Sequence, residues 1–149
     1  MKRILIAAAA VAMMASCSTP SRLLYSWGEG SSTGTTRYET LSYTYYDKQT
    51  PEALCNLIAL YENMVTKPGG TRGVPPPGIC AEYGYLLMNP ETLQAFNEHA
   101  TEAQRKLFKD KDLSTYFNEH GQEMFELEMK YYPESVTFIE PLLKKLSAK

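Results

Sequence analysis

The chain has 149 residues, with 15 Lys and Arg against 17 Asp and Glu and a formal net charge of −2. That length supports one domain of common size and makes a second unlikely. The charge balance argues against a nucleic-acid partner, which needs basic patches, and against electrostatic binding to anionic lipid headgroups.

Lys2 and Arg3 give a positive start, and Ile4 to Ala15 is an unbroken apolar and small-residue run. A run of twelve falls short of the roughly 20 residues that cross a bilayer, so it reads as an export signal. Met14-Ala15-Ser16-Cys17 resembles a bacterial lipobox, with cleavage before Cys17 and lipid attachment to it. A plain secretory signal cut nearby, with Cys17 a bystander, is the alternative. Removing the first 16 of 149 residues leaves 133, and the loss of Lys2 and Arg3 lowers the net charge to about −4. Membrane attachment then comes from acyl chains, of which two or more make a stable anchor. Cys55 and Cys80 remain, an even number in a compartment that permits disulfides. They form a bridge that closes a loop of about 25 residues, or they are two small buried thiols.

Residues 17–37 comprise the lipidated cysteine, a short polar tether and a Gly/Ser/Thr loop; residues 38–149 form one helical domain. Between Tyr38 and Tyr46 the apolar positions suit either period: Leu41, Tyr43 and Tyr45 alternate as in a strand, while Tyr38, Leu41 and Tyr45 fit a helix. Helix is favoured because a lone strand has nothing to pair with. Thr50-Pro51 starts a helix whose Leu54, Leu57, Ile58, Tyr61, Met64 and Val65 share one face. Lys67 to Pro77, rich in Gly and Pro, ends it. A short helix follows from about Gly78 to Met88, and Gly84 within it implies close approach of a neighbouring helix. Asn89-Pro90 starts a third helix running toward Phe108. A fourth spans about Leu113 to Tyr131, and the last about Ser135 to Leu146, bent at Pro141. The fold class is all-α, made of short antiparallel hairpins.

Phe96-Asn97-Glu98-His99 recurs as Phe117-Asn118-Glu119-His120, and each copy is followed by a glutamate, Glu102 and Glu123. The repeat reads as duplication of one helix unit within residues 93–134. The two His-x-x-Glu pairs raise a metal- or ligand-binding alternative. Di-iron bundles, however, use the order Glu-x-x-His and need further inward carboxylates, so no metal and no cofactor is expected. Nor does any catalytic constellation stand out. Neither Cys55 nor Cys80 has a histidine near it in sequence, and Gly69-Gly70-Thr71-Arg72-Gly73 lacks the lysine ending of a phosphate loop.

Several segments in order resemble the domain of unknown function 4810 family of small bacterial lipoproteins. They are the lipobox, Leu24-Tyr25-Ser26-Trp27-Gly28, Thr50-Pro51-Glu52-Ala53, Val74-Pro75-Pro76-Pro77-Gly78, Ala81-Glu82-Tyr83-Gly84-Tyr85-Leu86 and Tyr132-Pro133-Glu134-Ser135. The resemblance implies a tetratricopeptide-like hairpin, with Gly84 its small residue, Phe125 its large one and Pro133 its close. Gly84 to Pro133 exceeds one such repeat by about 25 residues, close to the length of the duplicated unit. It also implies a non-catalytic protein in an envelope assembly with a CsgG-type or another small lipoprotein. Ser18, in place of an aspartate that would retain the chain at the inner membrane, favours the outer membrane and its periplasmic face. Trp27, Tyr83, Tyr85, Tyr131 and Tyr132 are the candidate partner-binding rings, with the core as the competing place for each.

Overall fold

In the computed structural model, residues 23–28 and 34–147 are described; Cys17 and the signal lie outside them. Seven α-helices and two short 3-10 turns account for the described secondary structure: α1 (Arg37–Lys48), α2 (Pro51–Thr66), α3 (Ile79–Leu87), α4 (Pro90–His99), α5 (Glu102–Arg105), α6 (Leu113–Tyr131) and α7 (Val136–Ser147). The fold is all-α.

Local chemistry sets the helix starts. Thr36 accepts from the Glu39 amide while Glu39 reaches back to the Thr36 N–H at 2.7 Å, a reciprocal cap that starts α1 and makes the 38–46 stretch helical. Thr50 caps α2 and Asn89 caps α4, each followed by a proline whose missing N–H costs nothing at that position. The stretch from Asn89 to Phe108, expected as one helix, is interrupted. Ala100 is extended, and Thr101 with Gln104 forms a second reciprocal cap that starts α5, followed by a 3-10 turn over Lys106–Phe108.

The core lies between α2, α3, α4 and α6, built on Leu57, Ile58, Tyr61, Ile79, Tyr83, Phe96 and Phe117. Its closest seam joins α3 to α6 at two glycines. A methyl group on Gly84 would sit 2.6 Å from the Gly121 carbonyl oxygen, and one on Gly121 would sit 2.6 Å from Met88 Cγ. The neighbouring helix that Gly84 implies is therefore α6. Phe125 Cδ2 lies 3.2 Å from the same Gly84 position.

Ahead of α1, residues 23–28 form a strap across the 69–72 turn. The Leu23 and Leu24 carbonyls accept from the Thr71 and Arg72 amides at 3.0 and 3.1 Å, and the Trp27 carbonyl accepts from the Tyr38 amide at 3.2 Å. Gly70, at φ +80°, passes so close that a methyl group there would lie 2.5 Å from the Leu24 carbonyl oxygen. The glycine run at 69–73, which lacks a phosphate-loop ending, is the seat of this strap.

Candidate functional site

The five candidate rings divide. Tyr85 is 48% exposed, and Trp27 and Tyr131 are half-buried. Tyr83 and Tyr132 are core residues and cannot meet a partner: Tyr83 is sealed between α2 and α6, and Tyr132 donates its hydroxyl to the Pro75 carbonyl at 2.6 Å. Trp27 packs on Tyr38 with ring centroids 5.3 Å apart. Two rings that the sequence reading passed over are more exposed: Tyr43 at 77% and Tyr46 at 57%, both on α1. Tyr46 packs on Tyr45 with ring centroids 5.2 Å apart, and burial, with Glu82, Tyr45 and Tyr85 adding to it, raises the Tyr46 hydroxyl; Tyr45, Tyr46 and Tyr85 are thus neighbours in a cluster at the α1–α3 edge. The signal that could have found them is their i, i+3 spacing on a helix already assigned.

Beneath that cluster lies a polar network with paired chemistry. Tyr61 on α2 donates to Glu82 on α3, and Tyr83 on α3 donates to Glu62 on α2 at 2.7 Å. Tyr38 adds a second donor to Glu82 at 3.1 Å. Burial, with the adjacent carboxylate adding to it, pushes the Tyr38 hydroxyl up to about 12 and those of Tyr61 and Tyr83 far above their ordinary value. All three are donors at any physiological pH, which suits acceptor carboxylates taken out of water.

His120 closes the network from α6. Its Nδ1 lies 3.0 Å from Glu123, its Nε2 lies 3.5 Å from Glu62, and its ring stacks on Tyr116 with centroids 4.8 Å apart. Burial pulls its pKa down, but the two carboxylates outweigh burial and leave it above the ordinary imidazole value. His99 differs. It ends α4, lies 3.1 Å from Glu52, and is separated from Glu102 by the extended Ala100 and the Thr101 cap. The expected His99/Glu102 pair is thus not made on one helix, whereas His120/Glu123 is. Among the described residues, no group of three or more His, Cys, Asp and Glu is placed to hold a metal ion. The repeated phenylalanines do meet, with the Phe96 and Phe117 centroids 5.5 Å apart.

Cys55 and Cys80 are free, buried thiols, so the bridge is not formed. They face different neighbours. Cys55 Sγ lies 3.7 Å from the Ala95 carbonyl oxygen on α4, while Cys80 opens α3 beside Glu128 of α6. Burial, with Glu128 adding to it, pushes the Cys80 thiol up to about 12, which leaves it protonated and unreactive. Glu128 itself accepts from the Gly78 amide at 2.7 Å, supplying the N-terminal cap that α3 lacks from its own residues.

A concave pocket of about 360 Å³ opens beside the strap, walled by Ser26, Arg37, Asn63 and Lys67 over buried Leu60 and Met64. No described helix is long and apolar enough to cross a membrane. Compared with protein-family models, curated proteins and solved structures, the chain matches none.

Proposed function

We propose that the protein is a non-catalytic, lipid-anchored helical subunit of the outer membrane that faces the periplasm and works by contact with a protein partner. The observation that carries this reading is the short apolar run followed by Met14-Ala15-Ser16-Cys17, which supplies a cleavage and acylation point without a spanning segment. Only residues 18–22 separate Cys17 from the strap, a reach of roughly 20 Å when extended. An acylated chain is then held close to its leaflet.

The α3–α6 seam, where Gly84 meets Phe125, supports a tetratricopeptide-like pairing with α4 and α5 inserted between its two helices. A CsgG-type or other small lipoprotein is the partner that the resemblance to the domain of unknown function 4810 family supplies. Tyr43, Tyr46 and Tyr85 form the contact face, because exposed rings with a polar tip bring large area at low entropic cost. Labelled palmitate is expected to enter the expressed protein and to be lost in Cys17→Ser. A soluble, unlabelled protein overturns the anchor. Crosslinkers placed at positions 46 and 85 are expected to capture one specific lipoprotein, and equal capture from Lys144 on α7 overturns the docking surface.

A further inference from the structure

We infer that the pocket beside the strap binds the phosphate of a phospholipid headgroup. Arg37, the first residue of α1, and Lys67, which ends α2, converge on it from two separate elements. Among the described residues neither pairs with a carboxylate. In a chain of formal net charge −2, two cations on one concave wall that pair with no carboxylate among the described residues form a local anion site, whatever the balance of the whole surface argues against diffuse attraction. Ser26 supplies a hydroxyl on the same wall. Asn63 lines the same wall and gives one of its two amide protons to the Ala59 carbonyl at 2.7 Å.

The position of the pocket selects a lipid as the source of that phosphate. Ser26 and Gly28 of its wall belong to the strap, and only five residues separate the strap from Cys17. On the same strap Leu23 and Leu24 are 70% and 61% exposed although both carbonyls are bonded to the 71–72 backbone. An ordered apolar pair followed by a cationic pocket matches the polarity change from acyl region to headgroup. The inference rests on the anchored reading, since it is the tether that brings this edge to a leaflet.

The test titrates the full chain in nonionic detergent with dihexanoyl phosphatidylglycerol or with inorganic phosphate, reading emission from Trp27, the single tryptophan. A saturable response to the lipid is expected, about fivefold weaker in each of Arg37→Ala and Lys67→Ala and unchanged in Lys144→Ala/Lys145→Ala. Both pocket residues are exposed, so the fold survives their truncation. Equal affinity for inorganic phosphate, no saturation, or an unaltered R37A/K67A double variant overturns the assignment. The titration reads the pocket with the bilayer absent. Palmitate incorporation into the same preparation reports on the anchor separately.

Discussion

Tyr83 donates its hydroxyl to Glu62 across the α2–α3 contact at 2.7 Å, and both residues are buried. Their sequence neighbours make the same bond in reverse, from Tyr61 to Glu82. Two adjacent Tyr-Glu pairs thus exchange donors and acceptors, which fixes the register of the helices more tightly than apolar contact alone. Replacing Tyr83 with Phe removes the hydroxyl and leaves the buried Glu62 carboxylate facing His120, 3.5 Å away. The expected loss is about 1–3 kcal/mol in urea unfolding. A companion Glu62→Leu change is expected to recover part of that loss, and a strictly additive double variant would show that the pair is not coupled.

At the α3–α6 seam the two glycines are not equivalent. A methyl on Gly84 meets the Gly121 backbone oxygen, which cannot step aside, while one on Gly121 first meets the flexible Met88 side chain. Gly84→Ala is expected to cost about 1–3 kcal/mol despite the gain of about 1 kcal/mol in helix propensity. Gly121→Ala is expected to cost clearly less, and thermal melts of the two variants give the comparison.

His120 gives the fold a pH dependence with a defined sign. Burial lowers its pKa and the Glu62 and Glu123 carboxylates raise it by more, so the folded value exceeds the unfolded 6.5. The stabilisation is fully present below pH 6.5 and fades as pH rises through the folded value. The midpoint of unfolding is expected to fall between pH 6 and pH 8 in the native chain, and this slope is expected to flatten in His120→Gln. An unchanged slope would assign the dependence to other groups.

Gly70 carries the strap. At φ +80°, with the Leu24 carbonyl oxygen against it, the position accepts no side chain. Gly70→Ala is expected to free residues 23–28 from the 71–72 turn, to shift Trp27 emission to the red and to speed limited proteolysis at the strap at least severalfold. The α2–α6 core is expected to keep its unfolding midpoint within a few degrees, because a loop site lies outside the main packing.

Helix existence was legible because its causes are local: Thr50-Pro51 and Asn89-Pro90 each write a start in two letters. The break after His99 was missed because Thr101 and Gln104 form their cap inside a stretch whose apolar spacing continues across it. Gly84 announced a close neighbour but not which helix supplies it. The candidate rings fared unevenly for the same reason. A tyrosine such as Tyr83 is buried in the core with its hydroxyl bonded to a glutamate 21 residues away, and no local pattern reports such a pairing. In the sequence Cys55 and Cys80 are open between bridge and thiol, because the packing of Cys55 against Ala95 of α4 and of Cys80 beside Glu128 of α6 has no local signature.

The strap also determines how tension would enter the molecule. A pull applied from residue 22 reaches Leu23 first, and the carbonyls of Leu23 and Leu24 hand it to the amides of Thr71 and Arg72 in the middle of the chain. The load is shared between two bonds before it reaches α1. A body moored by one end would thus be gripped at its waist.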